Sequence, residues 1–356
     1  MGTKIITPGT FIPKHNLRIG HVLGSGSFGT VYYAIEELNS QACAIKTMED
    51  YDSANNEIGK LCRLHKIQER MKSDHVVRLL SYFDININST HHRCIVMEIL
   101  GPSLNDLMRV HNQSINIPRE IMMSIIEKIL QAVKFLHEVA EVINLDINAD
   151  NVLFVGKKLQ MKEGILLPNN MNIKLIDFHS SLNRFGPDEH TTSTPMYRPP
   201  ELCLRVPIDS GVDIWAVGCL AFEMFHSGGQ PLFDQQEYGA STQCSYQALA
   251  IAQEKVLGPH ASWMLRYALY MNCPFVETIP LPNRGNCKIN IDDLDMQLIP
   301  SSTTPDSHAS NKPLEEHFNM NLPMEARWYN FIRKLLTLDQ RNRPTAKEAL
   351  SNAFFS

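Results

Sequence analysis

The chain of 356 residues lacks the cysteine pairs that build zinc ribbons and thioredoxin-like redox sites. Its eight cysteines are all single, and no two of them are separated by two residues. The 14 histidines show no H-E-x-x-H or comparable metal-ligating spacing either. Scattered cysteines are typical of small buried side chains in a reducing compartment, so we expect an intracellular protein.

Long apolar segments are also missing. No run approaches the roughly 18 apolar residues of a transmembrane helix, and the opening MGTKIITPGT is too polar for a secretory signal. Gly2 follows Met1, but Ile6 stands where the N-myristoylation pattern requires serine or threonine. We therefore expect a soluble protein without membrane association.

No strong excess of charge of either sign is present. The 33 lysines and arginines against 38 acids leave a formal net charge of −5. Direct nucleic-acid binding needs clustered cations, so we expect none. Hydrophobic residues make up 44% and charged residues 20% of the chain, which is ordinary for a folded protein. At about 150 residues per domain, the length predicts two domains or lobes.

The first hundred residues read as strands. Short apolar runs rich in β-branched and aromatic residues alternate with turn signals, and one helical pattern at 55–68 interrupts them. Runs of strand length are LRIGHVLG, TVYYAIE, QACAIKTM, VVRLLSYF and CIVMEIL.

After residue 102 the patterns become helical. Helices are predicted from Pro118, from Asp213, from Trp328 and after Pro344. A polar stretch rich in proline, serine and asparagine at 283–322 predicts a surface insertion with partly mobile loops. The sequence therefore predicts a small β-rich lobe followed by a larger helical lobe, joined near 98–103.

Three glycines lie between two predicted strands. In LGSGSFGTV they are Gly24, Gly26 and Gly29, and glycines let the main chain approach phosphates with free N–H groups. A Rossmann loop would run into a helix, with an acid about 20 residues further on. Here a strand follows instead, and then the tripeptide Ala44-Ile45-Lys46, which together favour the glycine loop of kinases.

Lys46 lies in an apolar strand pattern, where a lone lysine would by default be an exposed strand residue. Together with an acid on the following helix it can hold α- and β-phosphates, while the ion pair fixes the helix. Glu57 is the best-placed acid, and Glu49 and Glu69 are alternatives.

Two further motifs carry oxygen ligands. Asp146 and Asn151 in INLDINADNVLF have the spacing D-x-x-x-x-N, and Asp177 follows a predicted apolar strand, IKLI. Phosphoryl transfer needs a carboxylate near the attacking hydroxyl and oxygen ligands for Mg²⁺. We predict the first role for Asp146 and the second for Asn151 and Asp177. Each residue alone would more often be a turn or cap residue, but their order after a glycine loop indicates phosphotransfer.

With these motifs in order, the chain resembles the eukaryotic protein kinases from about Leu17 to Phe355. It is most similar to the CMGC group and, within it, to the LAMMER (CDC-like, dual-specificity) kinases. The narrower resemblance rests on MEILGPSLNDLM, STPMYRPPEL, ALAIAQEKVLGPHASWMLR and RNRPTAKEAL.

The resemblance implies the α+β, bilobal protein-kinase fold. An N-terminal extension would cover 1–16, the ATP-binding N-lobe 17–100, and the C-lobe 101–356. The C-lobe would carry the catalytic loop, the activation segment and a CMGC-type insertion at about 226–325.

The same resemblance implies ATP and Mg²⁺ as cofactors and the residues that hold them. Met97 would be the gatekeeper, and 98–100 would face adenine. The implied catalytic residues are Asp146, Lys46, Asn151 and Asp177, with the last two holding metal. The implied nucleotide-binding residues are Leu23, Gly24, Ser25, Gly26, Ser27, Phe28, Gly29, Val31, Ala44, Lys46, Glu57, Met97, Glu98 and Leu100.

Structural pairs in the larger lobe are implied as well. Arg343 would pair with Glu201 behind the activation segment, and Asp213 would brace the backbone of the catalytic loop. Arg198 stands at the arginine that is typical of the CMGC group.

Three positions depart from the family pattern. The His-Arg-Asp or His-Thr-Asp tripeptide is Asn-Leu-Asp here, ending at Asp146. Asn148 replaces the lysine that neutralises the transferred phosphoryl group, and Asp150 stands where tyrosine kinases have an arginine. His179 replaces the glycine of D-F-G. Losing one electrostatic donor of this kind can cost about 10²–10³ in rate.

Three hypotheses follow. The first is a LAMMER-like kinase that phosphorylates serine or threonine, and in dual-specificity fashion tyrosine; the resemblance implies arginine/serine-rich splicing factors as substrates. We expect such a kinase to be monomeric and nuclear or cytoplasmic, and its activation segment could accept phosphate at Thr191, Thr192, Ser193 or Thr194. The second is a nucleotide-binding pseudokinase scaffold, favoured by Asn148 and His179. The third, a small-molecule kinase, is disfavoured by RPPE and Arg343, which build a platform for protein substrates.

Overall fold

The chain forms two compact units in a computed structural model. The first unit comprises 1–104 and 150–181, and the second comprises 105–149 and 182–356. The structure describes residues 6–26, 29–87, 90–111, 117–162, 164–182, 193–226, 229–233, 242–278, 296–299 and 312–355. The extension, lobe and insertion boundaries proposed from the sequence stay predictions.

The first unit contains a six-stranded antiparallel sheet with the strand order β1-β2-β3-β4-β6-β5. The strands are β1 (Phe11–Ile12), β2 (Leu17–Gly26), β3 (Gly29–Glu36), β4 (Gln41–Met48), β5 (Leu79–Ile87) and β6 (Thr90–Glu98). Apolar side chains such as Ile19, Tyr32 and Ile45 form a buried core on the sheet. Ile6 and Ile12 are buried in the same core, so part of the predicted N-terminal extension packs on the sheet.

A long helix, α1 (Tyr51–Met71), follows β4. It begins four residues before the predicted start, because the Asp50 side chain accepts hydrogen bonds from the N–H groups of Asp52 and Ser53. This cap lies ahead of the first buried apolar position on the helix. Ile58, Leu61 and other apolar residues then bury one face of α1.

The stretch 150–181 adds two short pairs of antiparallel strands to the first unit. β7 (Val152–Phe154) pairs with β10 (Ile173–Leu175), and β8 (Leu159–Lys162) pairs with β9 (Ile165–Pro168). The N–H of Ile176 donates to the carbonyl of Asn151 at 3.0 Å. The pairing of β7 with β10 therefore brings Asn151 beside Ile176, the residue that precedes Asp177.

The second unit is mainly helical. Its helices are α2 (Leu104–His111), α3 (Arg119–Lys134), α4 (Pro200–Cys203), α5 (Gly211–Phe225), α6 (Thr242–Leu257), α7 (Ser262–Tyr270), α8 (Pro323–Leu335) and α9 (Ala346–Leu350). Helix α5 is apolar on nearly all sides and is buried from Gly211 to Met224, with α3 and α8 packed against it. A π-helical turn, Phe135–Ala140, continues α3.

The described end of the predicted insertion is packed into the second unit. β12 (Met296–Leu298) pairs with β11 (Val276–Thr278), and Leu314 and Phe318 are buried. The Phe318 ring lies 4.7 Å from that of Phe225. Three apolar side chains of this part, those of Leu298, Leu314 and Phe318, are buried, whereas its other described residues are half-buried or exposed. The surface insertion stays a prediction. The remainder, 279–295 and 300–311, lies outside the described residues.

None of the helices in the described ranges combines the length and the apolar character that crossing a bilayer requires.

A fully buried ion pair ties the second unit together. The Arg343 guanidinium donates to Glu201 on α4 through Nη1 at 2.7 Å and Nη2 at 3.1 Å, and both side chains are 0% exposed. Nη1 also donates to the carbonyl of Gly211, and Nε to that of Thr337. The pairing implied by the family resemblance is thus confirmed.

Arg343→Met should lower the free energy of unfolding by about 3–5 kcal/mol, measured by urea denaturation. The substitution leaves the Glu201 carboxylate buried without its cation, and uncompensated buried charge carries this cost. The double variant Glu201→Leu/Arg343→Met removes both charges and should recover a large part of the loss. A single variant as stable as the wild type would contradict the prediction.

An aromatic cluster in the same unit contains two histidines. The His317 ring lies 5.1 Å from that of Phe222 and 5.3 Å from that of His226. Burial, together with the charges of Lys312 and His226, lowers the pKa of His317 from 6.5 to about 4. The folded protein therefore holds this imidazole neutral in the range where the unfolded chain protonates it.

Stability should fall as the pH drops from 6.5 towards about 4, because only the unfolded chain gains a proton on His317 in that window. His317→Phe should reduce the fall, measured as the free energy of unfolding at a series of pH values. His226, whose pKa burial also lowers, should account for part of what remains. An unchanged pH dependence in the variant would show that His317 is protonated equally in both states.

Candidate functional site

A buried lysine lies between two acids in the first unit. Nζ of Lys46 donates to Glu57 Oε1 at 2.9 Å and Oε2 at 2.8 Å, and to Asp177 Oδ1 at 3.3 Å. Lys46 lies in the middle of β4, paired with both neighbouring strands, and is 5% exposed. The sequence offered Glu57, Glu49 and Glu69 as partners of this lysine, and Glu57 is the one that contacts it.

In this cluster the carboxylates favour the charged form of Lys46, and the Lys46 ammonium favours the charged form of Glu57. Burial alone would lower the pKa of Lys46, but the carboxylates of Glu57 and Asp177 outweigh it and raise that pKa. The lysine therefore stays protonated at neutral pH. Burial raises the pKa of Glu57, and the Lys46 ammonium opposes this rise.

Asp177 lies two residues after β10, in a left-handed backbone conformation with φ 57°. Its Oδ1 accepts hydrogen bonds from Lys46 and from the N–H of His179 at 3.2 Å, and its side chain is 30% exposed. His179 has no positive φ, so the histidine that replaces the family's glycine adds no left-handed strain.

Lys60 on α1, which the sequence analysis did not identify, contacts the segment that follows Asp177. Nζ of Lys60 donates to the carbonyls of Phe178 at 3.3 Å and His179 at 2.8 Å. Lys60 lies three residues after Glu57, on the same side of the helix, and is 6% exposed. The available signal was a lysine within the apolar stripe of α1.

The glycine-rich strands have open space beside part of their main chain. Leu23, Gly24, Ser25 and Gly26 lie on β2, and Gly29 and Val31 lie on β3; Ser27 and Phe28 lie outside the described residues. A Cβ on Gly24 or Gly26 would meet nothing within 4 Å. Gly29 has φ +140°, and a Cβ there would lie 2.3 Å from the Thr47 carbonyl, so only glycine fits.

The residues predicted to face adenine lie at the end of β6. Met97 pairs with Ala44 of β4, and Leu100 follows the strand. The Glu98 carboxylate accepts hydrogen bonds from Nζ of Lys174 at 2.6 Å and from the N–H of Arg78 at 2.7 Å. The side chain of Glu98 is thus engaged within the unit.

Asp146 lies in the second unit, where three donors converge on one of its oxygens. Oδ1 accepts from Thr194 Oγ1 at 2.6 Å, from the Thr194 N–H at 3.2 Å and from Asn148 Nδ2 at 3.1 Å. Asn148 is 7% exposed, and its amide also donates to Thr194 Oγ1 at 3.3 Å. These bonds fix the orientation of the Asp146 carboxylate.

Asp213 braces the backbone just before Asp146, as the resemblance implied. Its carboxylate accepts from the N–H groups of Asn144 and Leu145, each at 2.8 Å, and is hydrogen-bonded to His137 Nε2 at 2.8 Å. Asp213 is fully buried at the start of α5. Leu145 has φ 71°, so the brace stabilises a left-handed residue at this point.

Arg198 is likewise fixed by neighbours in the second unit. Its guanidinium donates to Ser193 Oγ at 3.2 Å and to the Ser193 carbonyl at 2.8 Å, and lies 4.4 Å from the ring of Tyr246. Of the candidate phosphate acceptors, Thr191 and Thr192 lie outside the described residues. Thr194 has its hydroxyl on Asp146.

The candidate residues therefore form two groups. Lys46, Glu57 and Asp177 are in mutual contact or share a partner in the first unit, with Asn151 beside the chain that leads to Asp177. Asp146 belongs to the second unit, with Asn148 and Thr194.

Comparison with known proteins agrees with the resemblance. The family model described as Protein kinase domain matches residues 17–355. Dual specificity protein kinase lkh1 of Schizosaccharomyces pombe is 27% identical over 99% of this chain and 48% of its own length. Serine/threonine-protein kinase AFC1 of Arabidopsis thaliana is 29% identical over 70% of this chain and 53% of its own. Dual specificity protein kinase CLK2 of Homo sapiens is 26% identical over 96% of this chain and 64% of its own.

These relatives bear out the similarity to LAMMER kinases of the CMGC group. The chain spans about half the length of lkh1 and AFC1.

Proposed function

Because the chain belongs to the protein kinase family, we propose that it transfers the γ-phosphoryl group of Mg²⁺-ATP to hydroxyl groups of protein substrates. The acceptors are serine and threonine and, as in a dual-specificity kinase, tyrosine. The relatives compared above are all named as protein kinases, so the pseudokinase scaffold has no support from them.

The observation that carries the proposal is the Lys46 ammonium held between the carboxylates of Glu57 and Asp177. A buried ammonium is costly unless it is paired, and pairing to two carboxylates fixes its position. Glu57 is almost wholly buried, whereas the Asp177 side chain is 30% exposed. Lys46 would hold the α- and β-phosphates, and Glu57 would keep the lysine in place.

The oxygen donors present suit Mg²⁺. Asp177 offers a partly exposed carboxylate and Asn151 an amide oxygen, and hard oxygen ligands are those that Mg²⁺ prefers. When bound, Mg²⁺ neutralises negative charge on the phosphates. The hydrogen bond from the His179 N–H to Asp177 Oδ1 orients the carboxylate for this role.

The glycine-rich strands suit a nucleotide. A Cβ at Gly24 or Gly26 would meet nothing within 4 Å, so there is open space beside the main chain into which phosphates could fit. Because the Glu98 carboxylate is held by Lys174, adenine would meet main-chain groups at 98–100. Apolar contact would come from Leu23, Val31, Ala44 and Met97, and Ser27 and Phe28 complete the proposed set.

Asp146 would orient the substrate hydroxyl and accept its proton. The three donors on Oδ1 hold the carboxylate in one orientation before substrate arrives. Asn148 contributes one of these donors but no positive charge. The proposed enzyme therefore positions its base through hydrogen bonds and lacks one cation for the developing phosphoryl charge.

We propose protein substrates rich in arginine and serine, of the kind found in splicing factors, and action as a monomer in the nucleus or cytoplasm. The net charge of −5 suits a basic substrate. The buried Arg343–Glu201 pair would support the segment on which a protein substrate is seated.

Transfer of radiolabelled phosphate from [γ-³²P]ATP to an arginine/serine-rich peptide should depend on Mg²⁺. Asp146→Asn should lower the rate by about 10²–10⁴, the usual contribution of a general base. Lys46→Met should raise the nucleotide concentration needed for half-saturation. Mg²⁺-dependent nucleotide binding without transfer above the Asp146→Asn background would favour the scaffold instead.

Asn148→Lys should raise kcat, by up to about 10², with little change in the KM for ATP, because a cation near the transferred group is restored. A lysine can still donate a hydrogen bond to Asp146. Asn148→Ala is the matched control and should lower kcat, since it removes a donor from Asp146 Oδ1. Equal rates for the lysine variant and the wild type would mean that another group supplies the charge.

A further inference from the structure

Helix α1 carries a second lysine that contacts the chain next to the proposed metal ligand. We propose that Lys60 is a positioning residue: it holds the main chain after Asp177 in the orientation that lets this carboxylate bind Mg²⁺. The inference rests on the proposed function, and Lys60 itself would touch neither nucleotide nor metal.

The contacts of the Lys60 ammonium point to this role. Nζ donates to two consecutive carbonyls, of Phe178 at 3.3 Å and of His179 at 2.8 Å. Lys60 is 6% exposed, so the charge is almost removed from water. A buried ammonium needs hydrogen-bond acceptors, and two main-chain oxygens of one segment supply them.

The segment that Lys60 contacts is a closed turn. The Phe178 carbonyl also accepts from the N–H of Ser181 at 3.2 Å and from Ser181 Oγ at 2.8 Å. The N–H of His179 donates to Asp177 Oδ1 at 3.2 Å. The peptide group between Phe178 and His179 therefore faces Lys60 with its carbonyl and Asp177 with its N–H.

Through these hydrogen bonds, helix α1 restrains the orientation of the Asp177 carboxylate. If the Phe178–His179 peptide rotates, the hydrogen bond to Asp177 Oδ1 is lost with the contact to Lys60. Asp177 is held in a left-handed conformation with φ 57°, which costs energy unless its surroundings fix it. Lys60 supplies part of that restraint from α1, the helix that also carries Glu57.

The two lysines thus differ in what they hold. Lys46 contacts the Glu57 and Asp177 side chains directly. Lys60 contacts the backbone beside Asp177, at the position where His179 replaces the family's glycine. The Lys60 ammonium fixes the backbone conformation there by donating hydrogen bonds to two carbonyls.

The test measures the affinity of a fluorescent ADP analogue with and without Mg²⁺, using Lys60→Met, which keeps most of the length of the side chain and removes its donors. The gain in affinity caused by Mg²⁺ should fall about tenfold, as for other groups that orient a metal ligand. Affinity without Mg²⁺ should not change. Lys60→Arg, which keeps charge and donors, should retain much of the gain. Lys66→Met, at an exposed site on the same helix, should match the wild type.

A second measurement needs no nucleotide. Hydrogen–deuterium exchange of the ligand-free protein should be faster in Lys60→Met for peptides covering 177–182, with β4 unchanged. Should Lys60→Met fail to fold, Lys60→Gln keeps one donor and should show the same changes at smaller size.

The outcomes separate the two ideas. Wild-type protein without Mg²⁺-dependent nucleotide binding overturns the proposed function and this role with it. Wild-type binding together with an unchanged gain in Lys60→Met overturns the role of Lys60 alone. Equal losses of affinity with and without Mg²⁺, with faster exchange throughout the first unit, would reduce Lys60 to a structural residue and would also overturn the proposal.

Discussion

The first unit must accommodate the buried positive charge of Lys46. The Lys46 ammonium, in the middle of a sheet strand, would be strongly destabilising without partners, and it is stabilised by Glu57 and Asp177. These partners come from α1 and from the chain after β10, so one electrostatic requirement fixes three separate segments. The phosphate contacts proposed for Lys46 and the metal contacts proposed for Asp177 depend on this geometry.

Short motifs with a fixed chemical task could be predicted from the sequence, while elements defined by tertiary packing could not. Spacing and family resemblance identified the Lys46–Glu57 and Arg343–Glu201 pairs, because each needs particular residue types. The strand β10 was predicted from the apolar run IKLI, but helices α6 and α7 and the strands β7, β8 and β9 were not. Short or small-residue segments show weak periodicity. Lys60 was missed because its partners are main-chain carbonyls, which leave no trace in sequence.

In the second unit, hydrogen bonds orient the carboxylate of Asp146, the proposed base. Asp146 receives hydrogen bonds from a hydroxyl, an amide side chain and a main-chain N–H, all neutral groups. Neutral donors orient a carboxylate without adding charge nearby. The sequence departure at Asn148 therefore exchanges electrostatic assistance for orientation, and the roles assigned to both residues stay proposals that rate measurements can judge.

The hydrogen bonds of Glu98 have a consequence for small molecules aimed at the proposed adenine region. A compound carrying a cationic group to capture this carboxylate would have to displace Lys174, which is 1% exposed. Displacement would leave that ammonium with Asp74 as its remaining acidic contact, and stripping a partner from a buried charge costs affinity. Ligand selectivity would be easier to obtain from the shape around Met97, where a flexible thioether can adapt to different rings.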